Sequence, residues 1–477
     1  MLFTSLEFLF LFFPLVFAVN YLLPLKWQNY WLLISSLFFY AWGEPVFVLA
    51  MLFSIALNYT GALLISREDR TTQRGQRRAK AILVVTLLIN LSILFVYKYM
   101  NFTTKTLLML FPSLNTLFGA TEFVLPIGIS FFTFQALSYV VDVYRGEPVQ
   151  KNIAYVGLYV SLFPQLIAGP IVRYTTVAAE IVDRRVTRDD FCFGMYRFFI
   201  GFNKKMLLAN ILAQAADFAF GQSVLSTGMA WIGIMAYTLQ IYFDFSGYSE
   251  MAIGLGRMLG FHFLENFDYP YISRTITEFW RRWHMSLGTW FRDYVYFPLG
   301  GSRVKSRARL VFNLFVVWLA TGVWHGASFN FILWGVLYGV IITVEKLLAL
   351  PKKLSNKPLA GGFYQLFTML MVMFGWVLFR AVDLPSAMQY FKALFGMSGL
   401  LWDGNAALYL QNYAFMGAVG VLCSTPICRL INIHLCKTRK GAVISGIVGP
   451  AWQCILFLIS VSYLVMNAHN PFIYFNF

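Results

Sequence analysis

Long apolar runs recur along almost the whole chain, separated by short polar breaks. A helix that crosses a bilayer needs about 20 such residues, somewhat fewer inside a bundle. By that measure candidate segments fall near 4–24, 29–43, 45–65, 80–99, 122–141, 153–172, 191–217, 229–255, 309–324, 327–345, 362–380, 405–424 and 445–466. The pattern predicts an all-α integral membrane protein with roughly eleven to thirteen transmembrane or re-entrant helices. Pro126 interrupts one of the segments, and Pro164 and the Gly169-Pro170 pair interrupt another. Such breaks are tolerated only where protein or a cavity satisfies the freed backbone. The first run has no positive leader and no clear small-residue cleavage site, so it reads as a retained span.

Composition sharpens this picture. The 477 residues are 59% hydrophobic and only 12% charged, which excludes a soluble globular domain and a disordered chain. The net charge of +16 is first a statement about topology, because basic residues gather in cytoplasmic loops. Arg67 to Lys80 is the strongest basic loop and is expected in the cytoplasm, which puts the N-terminus outside. "CRLINIHLCKTRK" is expected on the same side, leaving the tail "NPFIYFNF" outside. A phosphate-bearing donor or an acidic polymer is a second reading of the charge. Nucleic acid is not an expected partner, because no basic stripe lies on a soluble domain. Cys423, Cys428, His434 and Cys436 fit no common zinc spacing, and no metal site is expected. With no linker and no long repeat, residues 1–477 read as one membrane domain.

One stretch departs from the apolar theme: "FWRRWHMSLGTWFRDYVYFPLGGSR", Phe279 to Arg303. On a helix, Trp280, Trp283, His284, Leu287, Trp290, Phe291 and Tyr294 share one side. Arg281, Arg282, Ser286, Thr289, Arg292 and Asp293 share the other. This predicts an amphipathic helix at the water–lipid boundary, aromatic face inward and guanidinium groups toward phosphates or water. An interfacial anchor would need no more than the Trp and Arg residues. His284 is the exception, an ionisable group on the aromatic face, and in a membrane domain that is a functional candidate.

A second histidine follows in "LFVVWLATGVWHGASFNFILWGVLYG". Basic clusters flank the region: Arg303, Lys305, Arg307 and Arg309 before it, Lys346, Lys352 and Lys353 after it. If both are cytoplasmic, 309–345 is a hairpin turning near Gly322 to Gly326, and His325 lies deep beside Trp324. A helix-end histidine that caps carbonyls is the plainer alternative. Of the five histidines, His262, His434 and His469 lack comparable surroundings. The chain shows no GxSxG elbow, P-loop, HExxH or GxGxxG motif. The chemistry suggested is metal-free group transfer with a histidine as general base. Gln240, Asp244 and Ser246 in "LQIYFDFSGYS" either support that site or form a structural hydrogen-bond network.

These pieces carry a likeness. Together with "SSLFFYAWGEP", "LPIGISFFTFQALSYVVDVYRGE", "FPQLIAGPIVRY", "YFDFSGYSEMAIG", "FGWVLFRA" and the tail "FIYFNF", the chain resembles the membrane-bound O-acyltransferase (MBOAT) family. The match is best to its alginate O-acetyltransferase-like branch. The resemblance implies helices around a central tunnel, with a catalytic core near 120–346. It implies that His325 is the catalytic histidine and His284 the second one; Trp324, Trp283 and Asp293 join them as supporting candidates, and the face of Arg281 and Arg282 either holds the donor's phosphates or meets lipid phosphates. No cofactor is implied; acetyl-CoA is the expected donor, entering from the cytoplasm while the acceptor comes from outside. An extracytoplasmic acetyltransferase partner, an exopolysaccharide and a bacterial inner membrane complete the expectation. D-alanyl transfer toward teichoic acid from a carrier protein is the enzyme rival, and a transporter the non-enzymatic one. Tyr338 stands where relatives often carry histidine.

Overall fold

The computed structural model describes residues 1–113, 122–355 and 357–466. His469 and the aromatic tail lie outside the described residues, as does the expectation about the tail's side of the membrane. The described residues form helices and turns, with no strand among them. The chain divides into two compact units: residues 1–195 with 252–264, and residues 196–251 with 265–477.

The first unit contains α1 (Phe13–Leu22), α2 (Leu25–Ala41), α3 (Val48–Arg67), α4 (Gln73–Leu110), α5 (Ile129–Arg145), α6 (Ile153–Ser161), α7 (Phe163–Leu166) and α8 (Tyr174–Val182). Buried amides join α3 to α4. Asn58 Nδ2 donates to Asn90 Oδ1 at 3.0 Å, and Asn90 Nδ2 returns the bond at 3.1 Å. Paired amides of this kind hold apolar helices together where the hydrophobic effect is weak.

The 153–172 segment is broken, as its prolines predict, and its backbone is satisfied by protein. Gln165 Nε2 donates to Tyr159 O at 2.6 Å, Tyr159 Oη to Val172 O at 3.0 Å, and Phe163 N to Ser36 Oγ at 3.1 Å. Gly128 turns the chain into α5 at φ 75°, and a Cβ there would stand 2.9 Å from Leu166 O. Only glycine fits that turn.

The unit boundary falls within α9 (Arg188–Asn203) and α11 (Thr227–Met258), which flank α10 (Asn210–Gly221). The second unit continues with α12 (Ile276–Arg282), α13 (Met285–Phe291), α14 (Arg307–His325), α15 (Phe329–Leu347), α16 (Leu350–Ser355), α17 (Pro358–Arg380), α18 (Leu384–Leu394), α19 (Gly404–Cys423), α20 (Ile427–Leu435) and α21 (Arg439–Met466). Seven described helices are long and apolar enough to cross a membrane: α3, α4, α14, α15, α17, α19 and α21. The other apolar runs become shorter helices or, as in α11, carry charge. This is an all-α membrane protein. Cys428, His434 and Cys436 sit exposed on or beside α20.

The stretch 280–294 differs from its expectation. It is not one amphipathic helix but α12, a break at Trp283 and His284, then α13 and a π-helical turn over Arg292–Tyr296. Trp283 is extended (φ −101°, ψ 129°) and His284 left-handed (φ 44°, ψ 54°). The cause is tertiary. Asn266 O accepts the Met285 N–H at 2.9 Å, and Asn266 Oδ1 accepts the Ser286 N–H at 3.2 Å. Ser286, expected on the polar side, is therefore buried.

Candidate active site

His325 is the last residue of α14, and the hairpin expectation holds: three residues separate it from α15. Glycines let the two helices close. A Cβ on Gly335 would lie 2.5 Å from Trp318 O and 3.1 Å from the Gly322 Cα. Such close backbone approach is how apolar helices gain packing without large side chains. The rise of 19 residues is about 28 Å, so His325 stands at the end of α14 remote from the basic cluster at Arg307. It is 3% exposed. Its ring packs edge-on against Trp324, Trp334 and Phe379, with centroids at 4.9, 5.0 and 5.2 Å.

His284 reaches the same aromatic cluster from α12. Its ring centroid is 6.1 Å from that of Trp324 and 4.6 Å from that of Phe245. Trp324 thus contacts both imidazoles. Trp283 is buried, stacked on Phe279 at 5.6 Å and tilted against Trp376 at 4.9 Å. Trp280 packs among Tyr338, Trp318 and Trp334 at 5.0–5.2 Å. Tyr338, the position that departs from the resemblance, is a wall of this cluster, its hydroxyl donating to Met371 O at 3.3 Å.

Asn266, which the sequence reading missed, sets the chemistry of His284. Its Oδ1 lies 3.1 Å from His284 Nδ1 and also accepts the Ser286 hydroxyl at 2.9 Å. Its Nδ2 donates to Ser249 Oγ at 3.1 Å. An amide oxygen only accepts, so Nδ1 carries the proton and Nε2 is the basic nitrogen. Burial alone lowers the His284 pKa from 6.5 to about 3, so the ring is neutral at ordinary pH. No sequence motif announces Asn266; between Glu265 and Asp268 in "FLENFDY" it reads as one more polar loop residue.

The remaining candidates separate into three groups. Asp244 is buried and ion-paired with Lys205 Nζ at 2.5 Å, a lysine in a π-helical turn that the sequence reading also missed. Gln240 and Ser246 are 2% and 3% exposed, and Gln240 Oε1 and Ser246 Oγ find no hydrogen-bond partner among the described residues. The charged residues lie apart from the imidazoles' immediate partners. Arg282 is held by Glu278 and Asp268, each at 3.0 Å, Asp293 is held by Arg292 at 2.8 Å, and Arg281 is exposed.

A pocket of about 620 Å³ lies beside the end of α17. It is lined by Arg380, Asp217, Ser223, Ser386, Gln389 and Lys392 among others. Arg380 Nη2 pairs with Asp217 Oδ1 at 2.6 Å, and its Cζ lies 5.8 Å from the Tyr237 ring centre.

Comparison with known proteins decides the class of this arrangement. The model of the membrane-bound O-acyltransferase family matches residues 46–382. The chain belongs to the MBOAT family. A probable alginate O-acetylase of Pseudomonas putida is 38% identical over 500 residues, covering all of both chains. One from Azotobacter vinelandii is 44% identical over 400 residues, 83% of this chain and 78% of the relative. A peptidoglycan O-acetyltransferase of Helicobacter pylori is 30% identical over 528 residues, with 100% and 98% covered. This MBOAT protein is therefore an O-acyltransferase of the membrane. Family membership gives the transporter alternative no support.

Proposed function

We propose that this MBOAT protein moves an acetyl group from acetyl-CoA on the cytoplasmic side to a hydroxyl arriving from outside, for O-acetylation of an extracellular polysaccharide such as alginate. The observation that carries the reading is the burial of His284 and His325 on one aromatic cluster, with Trp324 in contact with both. Relatives aligned over nearly the full chain carry acetyl-transfer names, which favours acetyl over D-alanyl.

In this mechanism His325 takes the proton of the acceptor hydroxyl as the oxygen bonds to the thioester carbonyl carbon. The tetrahedral intermediate then collapses with cleavage of the C–S bond. The departing thiolate recovers the proton from the His325 imidazolium, so the products are an acetyl ester and a free thiol, and the imidazole is neutral again. His284 has a narrower role. Its Nδ1 proton is committed to Asn266, so Nε2 offers a lone pair that orients a hydroxyl rather than a donor for an oxyanion. The aromatic walls keep water from the thioester. In this reading the acceptor side is the pocket that Arg380 lines, one residue along the chain from the Phe379 ring that touches His325. An extracytoplasmic acetyltransferase partner at the mouth of this pocket and a bacterial inner membrane fit the reading.

The test is His325→Ala at matched membrane levels. Transfer should fall by about 10²–10⁴-fold, the usual worth of a general base. Mass spectrometry of the ester released from surface polymer separates acetyl from D-alanyl. Wild-type acetylation in the variant would remove His325 from the mechanism.

A further inference from the structure

Glu345 is completely buried near the end of α15, yet it touches neither histidine. Its carboxylate takes four hydrogen bonds from two other elements. Oε1 accepts the Ile276 N–H at 2.8 Å and the Tyr364 hydroxyl at 3.1 Å. Oε2 accepts the Thr277 N–H at 2.8 Å and the Thr277 hydroxyl at 2.5 Å. The first two amides of α12 are thus held by a side chain of α15. The third, on Glu278, is held by Thr275 Oγ1 at 3.1 Å. A helix start has four orphan amides, and here three of them are answered by side chains.

The placement of this node matters more than its strength. α12 is seven residues, about 10 Å, and runs antiparallel to α15. Glu345 holds its beginning, Trp280 packs on Trp334 and Tyr338 midway, and His284 follows its end beside Trp324. α15 itself starts four residues after His325. α17 secures the approach to α12, with Gln365 Nε2 on Ile272 O at 3.2 Å and Thr368 Oγ1 on Arg274 O at 3.1 Å. Aromatic contacts tolerate sliding; a four-bond carboxylate clamp does not.

We propose that Glu345 is a positioning residue that fixes the register of α12 along α15, and so the distance between His284 and His325. This rests on reading those two histidines as the reacting pair. Glu345→Asp keeps the charge and the hydrogen-bond acceptors but shortens the side chain by one methylene, drawing α12 along α15. Misplacement of about 1 Å costs on the order of 100-fold in rate, so kcat for thiol release from acetyl-CoA should fall by about 10- to 100-fold. KM for acetyl-CoA should stay within about twofold, since ground-state binding is untouched. Thr277→Val removes one of the four bonds and should lower kcat by about threefold to tenfold. Both are measured on the full chain in lipid nanodiscs, normalised to folded protein by thermal melting.

A wild-type kcat per folded molecule in Glu345→Asp would overturn the proposal. If that variant does not fold, a wild-type kcat in Thr277→Val does the same. His325→Ala runs beside them. Activity retained there sinks the catalytic reading itself, whereas loss there with wild-type Glu345→Asp sinks only the positioning role.

Discussion

The two histidines arrive at one aromatic cluster by opposite routes. His325 ends a regular helix in a hairpin whose partner begins four residues later, so its backbone is placed locally in sequence, with Phe379 a distant wall for its ring. His284 sits in a break between two seven-residue helices, at φ 44°, held by Asn266 from 18 residues away. Neither α12 nor α13 is long enough to be stable alone. The first histidine is placed by packing of one continuous unit, the second by hydrogen bonds from elsewhere. That difference decides which substitutions destroy the fold and which leave a folded, inactive enzyme.

The hairpin should break as a whole. Gly335→Val puts a branched side chain 2.5 Å from Trp318 O, against a backbone with nowhere to go. The expected result is near-complete loss of folded protein from the membrane, read by size-exclusion of a fluorescent fusion. A well-folded variant would show that α14 and α15 need not touch through glycine.

The His284 segment should break selectively. Asn266→Leu strips the acceptor from the His284 ring and from Ser286, freeing the tautomer and the turn. Transfer should fall by about 100-fold, with stability reduced by about 2–3 kcal/mol for the orphaned groups. Asn266→Asp restores an acceptor and should recover part of the rate. Equal loss in both variants would count against Oδ1 as the element that matters.

This contrast also marks what was legible in the sequence. The hairpin could be read because apolar length, basic flanks and "WHG" are all local signals, and it folds as read. The helical period of 280–294 was real too: Trp283, Leu287, Trp290 and Phe291 are buried as their face predicts. What the period could not show was Asn266 capturing Ser286 and turning His284, because a hydrogen bond across 20 residues leaves no periodicity. Glu345 was hidden for a related reason. A lone acid beside Lys346 near a basic cluster looks like a surface charge, and only the fold shows it facing the start of α12. Lys205 was concealed by its neighbour Lys204, which pairs with Glu250 at 3.1 Å while Lys205 turns inward to Asp244.

Acid should loosen the His284 segment. Burial lowers the His284 pKa from 6.5 to about 3, so between those values the unfolded chain binds a proton that the folded one refuses. The contribution is fully present above about pH 6.5 and is lost progressively as pH falls toward 3, by about 1.4 kcal/mol per pH unit at most. Melting temperature should therefore drop on acidification through that window, and His284→Asn should flatten the dependence. An unchanged slope in the variant would mean that other groups set the acid limit.

The smallest effect should come from the charges that the sequence made most conspicuous. Arg282 is bound on both sides, by Glu278 one turn earlier and by Asp268, and all three side chains are partly exposed. Exposed pairs of this kind contribute about 0–1 kcal/mol, less at high salt. Arg282→Ala should accordingly cost little stability and leave the KM for acetyl-CoA unchanged, because its guanidinium already has carboxylate partners. Arg281 is exposed and has no such clamp, so Arg281→Ala is the arm that reads any attraction for the donor's phosphates. If Arg282→Ala raised KM as much as Arg281→Ala did, the ion pairs would have to open for donor binding. The His284 segment would then be held less firmly at its charged edge than at its buried one.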